Sequence, residues 1–559
     1  MKKKTAAFMI GCALTALLFG CGTGETGTGG RTETDEQNQG GVQDGQAGAD
    51  DAQDGQSGTD GAQGGQTDGA QGGQTDGQQT PVTEGQTPVQ APVERVLVAE
   101  YEAEDGAFTG NVRAGSNVEG YSGTGYAEGF EADGDACTIT VHIESDGFYD
   151  LAFTNAQLGG HKENKVTLDG EEIAQFSSDT ADFSIAEVER VYMEAGDHEV
   201  GVLKYWGYIA LDKLTVYESP EMGEAFFRVS AKLVNENADE CAKRLMSYLC
   251  DNYGTNVLTG QYCDTGLYGK ETACIWKETG KYPAVIGLDM IEYSPSRVAN
   301  GSTGHSIEYA KQAWENGAIV TMCWHWNAPS DYLTGTWYSG FYKEHTNIDL
   351  DAIMNGEDEA GMQALLSDMD AIAGELKVLQ EAGVPLLWRP LHEASGGWFW
   401  WGDCEAQSNI ALYRLMYDKF TNEYGLNNLI WVWNGQSADW YPGDDVVDIV
   451  GIDIYAGEHQ YNSQIAKFLE VNRYAGGKKM VVLSENGTIP DPDLMLRDRA
   501  MWGFYATWGG DFVAGSSAIN TYVETYTEAD ILKRVYEHEN MITLDEVPDL
   551  TTYPIREDA

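Results

Sequence analysis

The chain has 559 residues, 89 of them acidic against 34 basic, for a formal charge of −55. That length exceeds what one hydrophobic core organises, so at least two folded domains are expected. The acidity excludes nucleic acid as a partner, since nothing is available to neutralise phosphates, whereas a neutral polysaccharide is indifferent to it.

The N-terminus carries Lys2, Lys3 and Lys4, an apolar run from Ala6 to Phe19, and then Gly20-Cys21. This order of basic, apolar and small residues is that of a secretory signal, too short for an ordinary membrane span. The Leu18-Phe19-Gly20-Cys21 ending resembles the bacterial lipobox, which implies a lipoprotein signal peptide over 1–21 and lipidation at Cys21. A plain cleaved signal with a chance cysteine is the alternative. The expected protein is a monomer on the extracellular face of the bacterial cell envelope, touching the membrane through a lipid anchor only. Nine cysteines occur in all. The seven beyond Cys12 and Cys21 show neither metal-finger spacing nor a disulfide framework, and a Cys263–Cys274 pairing stays open.

Residues 22–94 are Gly, Gln, Asp and Thr with almost no large apolar side chain. Such a segment cannot offset its ordering entropy by burial and is expected to be a disordered linker. Flexible-chain scaling gives it a reach of roughly 45–50 Å.

Over 95–219 the pattern changes to short alternating runs broken by Gly and Asp, such as Cys137-Thr-Ile-Thr-Val-His-Ile143 and Leu211-Asp-Lys-Leu-Thr-Val-Tyr217. Alternation with frequent turns over this length predicts a β-sandwich of jelly-roll type. Tyr101-Glu-Ala-Glu-Asp105, Gly120-Tyr-Ser-Gly-Thr-Gly-Tyr126 and Trp206-Gly-Tyr-Ile-Ala-Leu-Asp212 resemble carbohydrate-binding modules of family 35 and its relative family 6. The resemblance implies a structural calcium, with Glu102, Glu104 and Asp212 as candidate ligands; solvated strand-end carboxylates are the alternative. Tyr126 and Trp206 are candidate sugar platforms, or else core aromatics.

Over 224–559 strand-like apolar runs alternate with helical ones. The strands begin near Val257, Pro283, Ala318, Pro385, Leu429, Asp448, Met480 and Gly503. Between the third and fourth, Leu365, Met369, Ile372, Leu376 and Leu379 mark one face of a helix. Eight buried strands alternating with helices predict a (β/α)8 TIM barrel, an α/β fold with its active site at the C-terminal ends of the strands.

Two of those ends carry a glutamate, Glu393 after the fourth strand and Glu485 on the seventh. A barrel places both at one rim, the arrangement that retaining glycoside hydrolysis needs. Either glutamate alone would be read as a capped or salt-bridged rim residue. The pair is joined by an aromatic loop, Gly396-Gly-Trp-Phe-Trp-Trp-Gly402, and by Trp324, Trp326, Trp433, Tyr455 and Trp508 at other strand ends. Pyranose rings stack their C–H faces on such planes.

Trp388-Arg-Pro-Leu-His-Glu393, with the aromatic loop after it, resembles the acid/base motif of glycoside hydrolase family 26, as do Pro283–Asp289, Trp440–Asp445, Val447–Tyr455 and Ser484-Glu485. The resemblance implies that Glu393 is the general acid/base and Glu485 the nucleophile. It also implies substrate contacts from His325, Trp326, His392, Trp398, Trp401, Tyr455 and Trp508, with no cofactor for catalysis. The activity implied is a retaining endo-β-1,4-mannanase acting on mannan, glucomannan or galactomannan. Alternatives within the family are a β-1,3-1,4-glucanase or a xylanase, and an exo-acting mannobiohydrolase would differ by its single product. From a different class, a non-catalytic glycan-capture lipoprotein is opposed by intact glutamates at both strand ends.

Overall fold

The computed structural model describes residues 95–515 and 521–559. Cys21 and the 22–94 linker lie outside the described residues. No helix among those described is long and apolar enough to cross a membrane.

The first domain is a sandwich of two antiparallel sheets. One orders its strands 113–115, 126–128, 209–218, 147–157 and 184–193, with 97–102 also paired to 209–218. The other runs 107–109, 136–143, 196–204, 162–168 and 171–178. Alternation explains the packing: along Ala136–Ile143, Ile139, Val141 and Ile143 face the core while Thr140 and His142 face water. First and last strands lie side by side, with Tyr101 opposite Leu214. This closes the module around Phe153, Phe176, Val202 and Leu211.

The second domain is a closed eight-stranded parallel barrel. Its strands are, in order, Gly260–Tyr262, Val285–Asp289, Ile319–Trp324, Leu386–Pro390, Leu429–Trp433, Ile449–Ile454, Met480–Asn486 and Tyr505–Thr507. Parallel strands covered by helices are buried on both faces, which is why they read as unbroken apolar runs. The predicted helix spans Glu359–Glu381, with Leu365, Met369, Ile372, Leu376 and Leu379 all buried and Asp358 capping its N-terminus. The chain end returns to the base of the barrel, where Met541–Ile542 pairs in parallel with Val257–Leu258. All seven described cysteines are free thiols, so Cys263 and Cys274 do not pair.

Arginines join the two domains. Arg190, at a left-handed position (φ 59°) in the sandwich strand 184–193, is buried. Its Nε donates to the carbonyl of Asp498 on the barrel at 2.8 Å and its Nη1 to the Pro220 carbonyl at 3.2 Å. Arg497 lies 4.7 Å from the Tyr192 ring and Arg473 pairs with Glu189.

Candidate active site

Every barrel strand brings a side chain to the same rim. Tyr262 comes from the first, Asp289 from the second, His325 from the end of the third and Arg389 from the fourth. Asn434 follows the fifth, Asp453 lies on the sixth, Glu485 on the seventh, and Trp508 follows the eighth. Glu393 leaves the fourth strand through a strained turn: Leu391 and Glu393 both adopt φ 54°, a region costly for side-chain-bearing residues. The turn is pinned to the neighbouring strand end, where the Glu393 amide donates to the Asn434 carbonyl at 2.8 Å and that of Ser395 to Gly435 at 3.2 Å.

These constraints bring Glu393 and Glu485 together. One carboxylate oxygen from each, with one from Asp453, lie within 4.8 Å of one another. That separation belongs to the close pairs of retaining enzymes (about 5–5.5 Å) and not to the wider inverting ones.

The two carboxylates differ in what surrounds them. Glu485 accepts from the Arg389 guanidinium on one oxygen and from the Tyr455 hydroxyl, at 2.6 Å, on the other. Among the described residues, Glu393 accepts only from Trp398 Nε1, at 3.1 Å. Burial raises both above the ordinary carboxylate range. For Glu485 the Arg389 charge and the Tyr455 hydrogen bond oppose that rise. For Glu393 the charges of Asp453 and Glu485 add to it, lifting it well above its usual value. The last proton therefore stays on Glu393 while Glu485 ionises, which is the division of labour that acid and nucleophile require. Burial and the Glu485 charge push the Tyr455 phenol far above its ordinary value, so it remains a donor.

Behind Glu485 stands a network the sequence reading missed. Arg389, fully buried, donates to Asp453 at 2.9 Å and to the Tyr262 hydroxyl at 3.0 Å. Asn434 Nδ2 donates to Asp453 at 2.6 Å and to Ser484 at 2.5 Å. The available signal was a charged residue inside an apolar strand run, Arg389 in Leu-Leu-Trp-Arg-Pro and Asp453 in Gly-Ile-Asp-Ile; such residues need buried partners.

The predicted sugar contacts divide. Trp398 stands 40% exposed beside Glu393, and Tyr455 and Trp508 are partly open, with Trp508 leaning on Tyr262 at 4.8 Å between ring centres. His325 keeps a small accessible edge and holds Asp289 at 2.6 Å through Nδ1. Three expectations are corrected. Trp326 and Trp401 are 0% exposed and present no face to a ligand. Trp326 donates to Asp368 and Trp401 to the His392 carbonyl, both at 2.9 Å, so they hold the rim from behind. His392 is likewise enclosed, with Nε2 3.2 Å from that of His325. Burial and the Arg389 charge depress its pKa well below the usual histidine value, and it positions His325 as a neutral ring.

In the sandwich, Trp206 is 50% exposed with Tyr205 stacked beside it and Tyr208 also open. Tyr126 is buried, which corrects its reading as a platform; its hydroxyl accepts from the amides of Asn117 and Val118 at 3.1 Å. Glu102, Glu104 and Asp212 gather around Ser122–Gly125. The Ser122 hydroxyl bridges Glu102 (2.8 Å) and Asp212 (3.1 Å), and Glu104 Oε1 accepts from the amides of Thr124 and Gly125. Glu104 Oε2 is buried without a hydrogen-bond donor. The three supply hard-oxygen donors, the type calcium takes, with one oxygen orphaned, although they are not drawn together as tightly as the carboxylates at the barrel rim.

Comparison with known proteins agrees with this geometry. The Glycosyl hydrolase family 26 profile matches residues 234–546, and that of Carbohydrate binding module (family 35) matches 99–218. A mannan endo-1,4-beta-mannosidase of Thermothelomyces thermophilus is 38% identical over 452 residues, which is 80% of this chain and 90% of that protein. Among solved structures, the Podospora anserina GH26-CBM35 beta-(1,4)-mannanase is 35% identical with a TM-score of 0.57, covering 81% of this chain and 99% of its own. A ruminal GH26 endo-beta-1,4-mannanase is 27% identical with a TM-score of 0.60, covering 80% and 98%. With its paired rim glutamates and its sandwich module, the chain belongs to glycoside hydrolase family 26 and carries a family 35 carbohydrate-binding module ahead of the barrel.

Proposed function

We propose that this protein is a retaining endo-β-1,4-mannanase that works by double displacement. The observation that carries the reading is the approach of Glu393 and Glu485 to within 4.8 Å, with Arg389 and Tyr455 opposing the rise that burial gives Glu485 while burial and the charges of Asp453 and Glu485 hold the proton on Glu393. Glu485 attacks the anomeric carbon while the glycosidic oxygen takes the Glu393 proton, leaving a glycosyl ester on Glu485. Glu393, now a carboxylate, then deprotonates the water that attacks the same carbon and regenerates Glu485. Mannan is supported as substrate by the activity named for the relatives that match most of this chain.

The exposed Trp206 platform would hold the polysaccharide, and Glu102, Glu104 and Asp212 would bind a structural calcium. The signal over 1–21 would export the protein and anchor it through lipid on Cys21, with the linker lifting the two domains off the envelope. Labelled fatty acid incorporated into the wild type but not into Cys21→Ala would support the anchor.

Reducing-sugar release from glucomannan, galactomannan, lichenan and xylan tests the main reading, with Glu485→Ala as control. Release from the mannans as a ladder of oligosaccharides, with the β-anomer formed first, is expected. Preference for lichenan or xylan would overturn the substrate, and an initial α-anomer would overturn the mechanism.

A further inference from the structure

The second and third barrel strands end in a cluster of side chains that includes a thiol the catalytic network does not use. Parallel register sets Asp289 opposite Cys323. Side chains two positions apart on a strand share a face, so His325, just past the third strand, projects to the same side as Cys323. One ligand atom from each of the three lies within 4.8 Å of the other two. His325 Nδ1 is 2.6 Å from Asp289 Oδ2 and 4.0 Å from Cys323 Sγ. The thiol is fully buried, while the Asp289 side chain, 11% accessible, opens the cluster to solvent.

A thiol, an imidazole and a carboxylate are the donors that zinc and cadmium ions take. Tetrahedral bonds of about 2.0–2.3 Å place ligand atoms roughly 3.5 Å apart, so the His325–Asp289 contact has to widen and the Cys323–His325 contact to shorten, each by less than about 1 Å. The supporting hydrogen bonds that hold metal ligands in place are present. Asp289 Oδ1 accepts from the amides of Ile291 at 2.9 Å and His325 at 3.1 Å, which leaves Oδ2 for a cation. His325 Nε2 lies 3.2 Å from His392 Nε2, so a ring that gives its Nδ1 to a metal can donate from Nε2 to His392. The proton His392 gives up at Nε2 passes to its own Nδ1, which is buried and has no hydrogen-bond partner among the described residues, so the exchange breaks no hydrogen bond there.

The charges balance as well. Burial and the Asp289 charge hold the Cys323 thiol far above its ordinary pKa, so without a cation it keeps its proton. Binding releases that proton to solvent and moves the imidazole proton of His325 from Nδ1 to Nε2; the thiolate and the carboxylate then offset a divalent cation and leave the buried site neutral. Nothing is oxidised or reduced. His325 also stands 5.9 Å from Trp508 between ring centres, which puts a cation on Nδ1 next to the mouth of the active site. We propose that Asp289, Cys323 and His325 bind a thiophilic divalent cation of the zinc type, and that its occupancy reversibly inhibits the enzyme. The inhibition rests on the reading of His325 and Trp508 as sugar contacts; the binding does not.

The test titrates cadmium chloride into the full chain after chelator treatment, following the ultraviolet charge-transfer band of a cadmium thiolate and, in parallel, galactomannan hydrolysis. The band and the loss of rate should develop together and both reverse with EDTA. Cys323→Ser keeps the size of the side chain and a donor toward the Leu288 carbonyl, to which the thiol donates at 3.7 Å, so its metal-free kcat/KM should match the wild type. It should lose the band and need more than about 100-fold more cadmium for half inhibition, beyond the 10- to 100-fold that losing a supporting contact costs a metal site. Cys323→Ala decides the matter if the serine variant does not fold. A band or an inhibition that survives in the folded variant would overturn the proposal, as would cadmium uptake by the wild type at an unchanged rate. A metal-free wild type inactive on galactomannan would instead overturn the mannan reading, and the band would still decide the site.

Discussion

Arg389 donates to both Glu485 and Asp453 from a guanidinium that no water reaches. One cation thus serves two carboxylates from neighbouring strands, and Glu393, whose burial already favours its protonated form, also feels the excess negative charge. The acid and the nucleophile are set apart by a residue that is neither.

Arg389→Ala is therefore expected to cost about 3–5 kcal/mol in urea unfolding, since it strands buried carboxylates without a counter-charge. Loss of the cation also removes what holds the Glu485 pKa down. Activity requires Glu485 ionised, so the acidic limb of the kcat/KM profile should move to higher pH in whatever protein folds. Arg389→Lys keeps the charge but not the fork that reaches Asp453, Tyr262 and Glu485 together, and should show a smaller displacement of the same sign.

A bell-shaped pH profile is expected for the wild type, rising as Glu485 ionises and falling as Glu393 loses its proton. With an activated aryl mannobioside, whose leaving group needs no proton, Glu393→Gln should lose the falling limb. The glycosyl-enzyme should then accumulate with a burst of phenol, because deglycosylation has lost its base. Trp398→Phe keeps a ring beside Glu393 but deletes the donor that favours its ionised form. The falling limb should then move to higher pH by up to about one unit. A shift to lower pH would contradict the role assigned to that hydrogen bond.

The fold was legible because buried parallel strands and a two-residue alternation leave plain marks, and all eight barrel runs and the Glu359–Glu381 helix were readable from them. The two glutamates were legible because each ends such a run. The side of the backbone an aromatic occupies was not. Trp398 and Trp401 sit three residues apart in one loop, yet the Gly396-Gly397 turn, with Gly397 at φ 68°, leaves the first in solvent while the second is sealed against Phe399 and His392. Nor was Arg389 legible as the hub, since its partners come from strands one, six and seven and only closure of the barrel brings them within reach.

Trp326, read as a sugar contact and found in the core, leads to a prediction about stability. Its indole donates to Asp368, whose pKa burial raises to about 7 despite that hydrogen bond. Between the ordinary aspartate value and about 7 the folded protein binds a proton that the unfolded chain has released. Stability should therefore fall with rising pH across that window, by at most about 1.4 kcal/mol per unit, and level off above it. Asp368→Asn keeps an acceptor for Trp326 without the charge and should flatten this slope in urea titrations at pH 5 and pH 8, with unchanged kcat. An equally steep slope would assign the pH dependence to other groups, of which Asp448, raised by burial to about 6, is the first to examine.

The contact between module and barrel yields the remaining prediction. Arg190 buries its guanidinium 4.0 Å from the Phe148 ring, while its backbone amide donates to Asp150 at 2.9 Å and its side chain to the barrel carbonyl of Asp498. A buried cation satisfied mainly by carbonyls is costly to desolvate, and here the module carries the arginine while the barrel and the connector supply its acceptors. Unfolding of either domain separates the cation from the Asp498 carbonyl, so the two should melt together in calorimetry. Arg190→Ala leaves the Asp498 and Pro220 carbonyls without that donor and should lower coupling by about 1.5–3 kcal/mol, splitting one transition into two. Hydrolysis of soluble oligosaccharides should be unaffected, because no catalytic group touches this interface. Two transitions already present in the wild type would mean that the arginine contacts orient the module without coupling its stability to the barrel.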